Sequence, residues 1–234
     1  MAGVPPTVHD VALRALCLAA VSTAGAYATA LVAEPDAAGE VDEAAADLIE
    51  WVEEDGVEPG LSDGERALLE SPLTEWSDLQ RVAAGGRAES LGVLLWALSL
   101  VDELPPWDEP FDAVEEVPLG ETPDELSERS RLRAAEELER ARDVADLWQW
   151  RAAAAGGDLD VVGGTARSAF DAGDIPQPID GDFPALAKAY RDLDELEGLL
   201  VRSIASERHT ALVWLCGGEA GWGIAGLDGS DDAA

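Results

Sequence analysis

Apolar residues in this chain recur every three to four positions, and this spacing restricts the fold more than any other feature of the sequence. Such a period places them on one face of a helix, whereas a strand exposed on one side needs strict alternation. No stretch alternates convincingly between apolar and polar residues, and no internal repeat is present. The pattern predicts an all-α fold, a single globular bundle of about six or seven helices.

The segment from Arg87 to Leu104 is the most apolar of the predicted helices and ends before Pro105 and Pro106. Apolar side chains cover nearly every side of it, so we expect this helix to lie at the centre of the bundle. Helices predicted over 122–155 and 199–216 should pack against it. Residues 1–228 are assigned to one helical domain, and 229–234 to a disordered tail.

Helix starts are marked by a cap residue with an acidic residue three positions later. A further helical pattern covers 41–52 and another covers 184–193, whereas 156–184 is rich in Gly, Asp and Pro and is the least defined part. Three starts carry the cap signal: Thr7–Asp10, Ser62–Glu65 and Thr122–Glu125.

The 19 residues from Ala15 to Ala33 carry no charge. By length this run resembles a signal peptide or a weak membrane span. It is rich in Ala, Thr and Ser rather than Leu, and Asp10 as well as Arg14 precedes it. We therefore expect a buried helix followed by a turn near Gly25, and no association with a membrane.

The chain carries 49 acidic and 15 basic residues, a formal charge of −34, and Lys188 is the one lysine. The acidic residues are spread evenly along the chain. An even negative coat suits molar salt, because the range of repulsion falls from about 10 Å at ~0.1 M to about 3 Å at ~1 M. The alternative is a genome that favours arginine, with acidity arising by chance. We expect a halophilic protein that does not bind nucleic acid.

The cysteines and histidines do not form a recognisable site. Two cysteines, Cys17 and Cys216, are too few for a disulfide framework and favour a reduced cytoplasm. His9 and His209 each lie about two helical turns from a cysteine, roughly 10–12 Å, which is too far to share a metal. The sequence also lacks a phosphate loop and a nucleophile elbow. We therefore predict neither a metal nor a cofactor.

Arginine and glutamate residues supply the remaining candidates. Six of the arginines fall within 129–151, which favours either an anion site or surface pairing with the acidic residues three and four positions away. Glu207 and Arg208, beside His209, lie next to an apolar helix face. They suit either an ion pair that fixes helix packing or a general acid/base group with an anion holder.

Two separated motifs resemble those of a known family, the domain of unknown function 4272. The first runs from Arg87-Ala88-Glu89-Ser90-Leu91 through Leu104-Pro105, and the second is the Glu207-Arg208-His209…Trp214-Leu215 segment. The resemblance covers most of residues 12–228. The chain departs from the family pattern at Gly86, where the family usually has tryptophan. It departs again after Trp222, where Gly223 replaces an acidic residue.

The resemblance implies no activity, because none is assigned to the family. It implies a set of recurrent polar residues as site candidates or as a buried polar network. These residues are Arg87, Glu89, Arg131, Arg133, Glu207, Arg208 and His209.

Two hypotheses follow for the function. The first is a non-enzymatic cytoplasmic binding or protein-interaction module, whose partner is an unknown protein or a small anionic ligand. The alternative is a hydrolase-like enzyme for a small molecule. In that enzyme Glu207 and His209 would be the acid/base groups, and the arginines would hold an anionic substrate. An enzyme needs these side chains around an open cavity, whereas a module would bury them, paired with one another.

The even negative charge of the chain predicts that salt stabilises the fold. The melting temperature should rise as KCl increases from ~0.1 to ~2 M, since screening removes repulsion among the surface carboxylates. Thermal melting followed by circular dichroism measures it, with the same series in a neutral osmolyte as control. A melting temperature that stays constant over this range contradicts halophilic adaptation.

Overall fold

The computed structural model describes residues 3–111, 117–154, 163–219 and Trp222. Its eight α-helices, beside one small two-stranded hairpin, confirm the predicted all-α class. The helices are α1 Val8–Ala33, α2 Ala38–Glu54, α3 Asp63–Glu70, α4 Asp78–Ala97, α5 Pro123–Glu128, α6 Ala135–Ala153, α7 Gly163–Ala172 and α8 Glu195–Leu215. Strands β1 Pro184–Ala185 and β2 Lys188–Ala189 pair antiparallel, with Pro184 opposite Ala189. The tail predicted at 229–234 lies outside the described residues.

The predicted apolar helix at the centre is confirmed as α4, with different ends. It begins at Asp78, where Ser77 caps it, and ends at Ala97 rather than at Leu104. The end comes early because Ser99 has a positive φ of 58°, a conformation that no α-helix contains. The last turns from Leu91 to Ala97 are buried without interruption, and α4 packs against α1 and α8.

A close approach between helices replaces the turn predicted near Gly25. That prediction is wrong, since α1 continues unbroken from Val8 to Ala33. A Cβ atom on Gly25 would lie 2.9 Å from the Cβ of Ala84 and 2.9 Å from the backbone nitrogen of Gly85. Glycine is therefore required by the contact between α1 and α4 rather than by a turn.

Among the described residues, α1 is long and apolar enough to cross a membrane. Within its most apolar 18-residue window, 67% of the residues are buried inside the fold. Its buried side packs against α4, α5 and α2. The core helix of a globular protein meets the same criteria of length and composition.

The helix predicted over 122–155 is two helices, α5 and α6. They are separated because the intervening backbone bonds to the end of α4 rather than to itself. The amide of Arg131 donates to the carbonyl of Leu98 (3.1 Å), and that of Arg133 donates to the carbonyl of Ala97 (2.9 Å). As a result α5 packs on α1, whereas α6 packs on α8.

The prediction of a helix over 184–193 is wrong. This segment contains the β1–β2 hairpin followed by a 3-10 turn over Tyr190–Asp192. Leu186 and Ala187, at the tip of the hairpin, both have positive φ angles of 51° and 60°, as a tight hairpin turn requires. The last helix, α8, begins at Glu195, four residues before its predicted start, and continues through Gly198.

Capping boxes begin five of the helices. In each, the cap side chain accepts a hydrogen bond from the backbone amide three residues later, and the side chain of that later residue accepts one from the backbone amide of the cap residue. The three boxes predicted from the sequence are confirmed. Within the described residues the boxes are Thr7–Asp10, Ser62–Glu65, Ser77–Gln80, Thr122–Glu125 and Asp194–Glu197.

The close approach at Gly25 is testable with one methyl group. Gly25→Ala should lower the free energy of unfolding by about 1–3 kcal/mol, because the added atom overlaps the backbone of α4. Gly198→Ala in α8 is the matched control, since its Cβ would meet nothing within 4 Å. That change should stabilise the protein by about 0.5–1 kcal/mol through helix propensity. Urea unfolding at fixed salt measures both, and a stabilising Gly25→Ala would contradict the contact.

Candidate functional site

Four charged side chains meet where α4 crosses α8. Arg87 and Glu89 come from the middle of α4, and Glu207 and Arg208 come from the second half of α8. Arg87, Glu89 and Arg208 are all at least 94% buried, whereas 20% of the Glu207 side chain is exposed. We call these four residues with Ser90 the α4–α8 network. Since charges are rarely buried unless paired, its hydrogen bonds decide what it can do.

Arg208 is saturated by partners within the protein. Its Nε and Nη2 lie 2.9 and 2.8 Å from Oε2 of Glu89. Its Nη1 donates to the carbonyls of Pro105 (2.8 Å) and Pro106 (3.1 Å), and Nη2 donates to that of Glu109 (2.8 Å). The guanidinium therefore holds the loop after α4 against α8 and has no nitrogen left for a ligand.

Glu89 is held as fully as Arg208. Its second oxygen, Oε1, accepts a hydrogen bond of 2.8 Å from the amide of Phe111. Burial lowers the pKa of Arg208, and the charge and hydrogen bonds of Glu89 oppose that shift. Guanidinium pKa values start so high that Arg208 stays charged.

Glu207 is bound to α4 through two groups. Its two oxygens lie 3.0 and 3.1 Å from Nη1 of Arg87, and Oε2 lies 2.7 Å from the hydroxyl of Ser90. Arg87 also donates from Nη2 to the carbonyl of Trp222 at 3.2 Å. These contacts fix α4, α8 and Trp222 relative to one another.

His209 does not join Glu207. Its Nε2 lies 2.8 Å from Oδ1 of Asp146 on α6, and the side chain is 27% exposed. Residues two positions apart in a helix point about 200° apart around its axis, so His209 and Glu207 face different neighbours. An acid/base pair made of these two would have to act on opposite sides of α8.

Arg133 and Arg131 lie at the end of α4 and not in the α4–α8 network. Arg133 donates to the carbonyls of Trp96 (2.7 Å), Val101 (3.0 Å) and Asp102 (2.8 Å), and it pairs with Glu137 (2.7 Å). It thereby caps the carbonyl end of α4, where a positive charge is favourable. Arg131 contributes backbone groups, and its side chain is exposed.

Two buried ion pairs were missed by the sequence analysis as sites. Arg14 of α1 binds both carboxylate oxygens of Glu65 and the carbonyl of Gly60. Burial, which raises the pKa of Glu65, is outweighed by Arg14 and the Ser62 cap, so this pKa lies below its usual value. The signal for Glu65 was its position in a capping box, but nothing in the sequence pairs it with Arg14.

The second missed pair joins α6 to the residue before Phe183. Nε and Nη2 of Arg151 each donate to one oxygen of Asp182 at 2.7 Å, and both side chains are 2% exposed. Asp182 also accepts from the amides of Phe183 and Arg191. Burial raises the pKa of Asp182, but Arg151 and these amides hold it below its usual value.

The larger cavities are lined by other residues. One of about 690 Å³ lies between α1 and α4 and is mainly apolar, with Tyr27 and Phe111 on its walls. Another of about 490 Å³ lies between α2 and the segment after α3. A third, of about 400 Å³, has arginines and acids on its rim: Arg151, Arg191, Arg202, Asp194 and Glu195. The α4–α8 network lines none of these three cavities.

The thiols are poor nucleophiles. Burial raises the pKa of Cys17 to about 12 and also raises that of Cys216, so neither is a thiolate near neutral pH. Within the described ranges, no group of three or more His, Cys, Asp or Glu side chains could hold a metal ion.

Comparison with known proteins identifies one family. Residues 3–164 match the family model described as Domain of unknown function (DUF4272). The match includes the Arg87–Leu91 motif but ends before α8, so the Glu207–Leu215 motif lies beyond it. No curated protein and no solved structure matches the chain.

The saturation of Arg208 predicts a large effect of removing it. Arg208→Met should lower the free energy of unfolding by about 3–5 kcal/mol, because it leaves the Glu89 carboxylate buried without its cation. Adding Glu89→Gln should recover part of this loss, since it removes the unpaired charge. His209→Ala is the control and should cost under about 1 kcal/mol, because its pair is partly exposed. Urea unfolding distinguishes these outcomes. Equal effects of Arg208→Met and His209→Ala would contradict the role of Arg208 as the buried cation that holds α4, α8 and the loop together.

Proposed function

The chain belongs to the DUF4272 family, and we propose that it is a non-enzymatic protein-interaction module of the cytoplasm. The main support is that the charged groups of the α4–α8 network find their hydrogen-bond partners within the protein. Arg208 donates all its hydrogen bonds to Glu89 and three loop carbonyls, and Glu207 is bound by Arg87 and Ser90. Groups committed in this way hold helices together and have little capacity to bind a substrate.

The placement of His209 also supports this proposal. An acid/base group needs a partner or a substrate position within hydrogen-bond reach. The neighbour of His209 is Asp146 on the side of α8 that faces α6, away from Glu207. The hydrolase-like alternative would have to use one of them alone.

Charge and burial support the rest of the proposal. A chain with a formal charge of −34 repels phosphate backbones, which favours a protein partner over a nucleic acid. The burial of most of the apolar window of α1 favours a core helix over a membrane anchor. The even acidic coat suits the salt-rich cytoplasm of a halophile.

The proposal is tested against the enzyme alternative with defined probes. The purified protein should not hydrolyse p-nitrophenyl acetate or p-nitrophenyl phosphate faster than buffer. Inorganic phosphate and citrate, titrated at constant ionic strength, should not give a saturable rise in melting temperature, since a ligand at 100 times its Kd stabilises by about 2.7 kcal/mol. His209→Ala is the matched variant. A hydrolysis rate that His209→Ala abolishes would establish the enzyme instead, whereas a saturable shift without hydrolysis would make the partner a small anionic ligand rather than a protein.

A further inference from the structure

We propose that the outer face of the first turns of α8 is a self-association surface, which pairs antiparallel with the same face of a second copy of the chain. This inference rests on the proposed function and specifies one partner for it. The evidence is an exposed apolar stripe on α8, with charges along one edge that complement themselves.

Three leucines form the stripe. Leu196 is 78% exposed, Leu199 is 51% exposed and Leu200 is 40% exposed. Their spacing of three and four residues places them on one face of the helix. The core face of α8 is formed by Val201, Ile204, Ala205 and Arg208. Leu199 lies opposite this face, whereas Leu200, four residues before Ile204, lies at its border, so the apolar surface of α8 extends from the core onto the exposed side.

An apolar stripe of this kind is unusual on such a charged chain. Net charge keeps copies apart, and each copy carries a formal charge of −34. The stripe contains leucines followed by Ser203 and Ser206, with Asp194 and Glu195 at its amino end and Arg202 on its edge. It carries fewer acidic residues than expected for a surface of this charge, so two copies can approach there with less repulsion.

The edge charges determine the orientation. Glu195 and Arg202 are seven residues apart, so they occupy equivalent positions on the same edge of the stripe. In an antiparallel pair of helices, that edge of one copy faces the same edge of the other. Glu195 then meets Arg202 of the second copy, and the reverse contact forms at the same time. One self-complementary surface is what a twofold dimer requires.

The same register aligns the leucines. With Glu195 opposite Arg202, the twofold axis passes between residues 198 and 199. Leu199 of both copies then meets at the centre, and Leu196 lies near Leu200 of the other copy. Charged and apolar contacts thus agree on one arrangement.

Arg202 is available for this contact. It is exposed, and it forms no ion pair with any carboxylate in the described part of the chain. Its guanidinium lines the 400 Å³ cavity beside Tyr190, where its charge and its polar contact with that side chain oppose the rise that burial causes in the pKa of Tyr190, and this contact to a neutral phenol leaves the charge of Arg202 without an acidic partner among the described residues. Glu195, on the same rim, is exposed as well.

The size of the stripe sets the strength of the dimer. The stripe and its edge charges, from Glu195 to Arg202, cover about two helical turns on each copy, roughly 11 Å. That contact falls below the ~1,200–2,000 Å² of a stable complex, so we expect a weak dimer with a Kd between about 10 µM and 1 mM. Salt should strengthen it, because screening reduces the repulsion between the two acidic surfaces.

Sedimentation equilibrium in ~1 M KCl, from about 10 µM to 1 mM protein, tests the proposal with the full chain. Arg202→Glu should raise the Kd at least about tenfold, because it places like charges opposite each other. The Glu195→Arg/Arg202→Glu double variant keeps the net charge and should return the Kd to within about threefold of the original. Leu199→Ser should weaken the dimer, whereas Val4→Ser should not, because Val4 is exposed and follows Gly3, which bonds to Gly217 beyond the far end of α8.

Each outcome of this experiment decides the proposal. A chain that stays monomeric at 1 mM overturns the dimer. A dimer that ignores Leu199→Ser, or one that the double variant fails to restore, forms through another surface and overturns this one. All four variants change exposed side chains, and unchanged circular dichroism melting confirms that they fold. None of these results bears on hydrolysis or anion binding, so failure here leaves the proposed function standing.

Discussion

Buried arginines, each bound by a carboxylate and by backbone carbonyls, hold the helices of this protein in place. A guanidinium has five N–H donors in a fixed plane, so it can join a helix, a second helix and a loop at once. Arg208 does this for α4, α8 and the loop at 105–109, and Arg14 does it for α1, α3 and Gly60. Arg151 joins α6 to the segment at Asp182. The apolar faces supply most of the burial, and these pairs fix how the faces meet.

This use of arginine also bears on the acidity of the surface. At least four of the 14 arginines are buried, namely Arg14, Arg87, Arg151 and Arg208. Their charge is neutralised inside by Glu65, Glu207, Asp182 and Glu89. Few cations therefore remain to balance the carboxylates at the surface. The buried ion pairs thus contribute to the excess of negative charge at the surface.

Local sequence signals predicted the structure correctly where that structure depends on interactions within a few residues. The capping boxes at Thr7, Ser62 and Thr122 were correctly predicted, as was the apolar helix that became α4, because caps and periodicity act over one or two turns. Tertiary contacts explain the errors. Gly25 resembles a turn residue but serves a helix crossing, and 129–134 resembles helix but bonds to the end of α4.

The candidate site shows the same division. The resemblance grouped seven polar residues as candidates, and the structure brings four of them together, namely Arg87, Glu89, Glu207 and Arg208. Sequence could not show that Arg208 would also bind three loop carbonyls, because those partners are defined only by the fold. It also could not separate His209 from Glu207 by function, which required knowing which neighbour each side of α8 faces.

The capping boxes have a consequence for how the protein comes apart in acid. The returning side chain is a carboxylate in four boxes, at Asp10, Glu65, Glu125 and Glu197, and each pKa lies below its ordinary value. A lowered pKa means stability that is present above the ordinary value, 3.8 for Asp and 4.5 for Glu, and lost as pH falls through the folded value. The first turns of α1, α3, α5 and α8 should therefore loosen over one interval of pH. The box of α4 uses the neutral amide of Gln80, which does not titrate there, so the central helix keeps its start after the others have frayed.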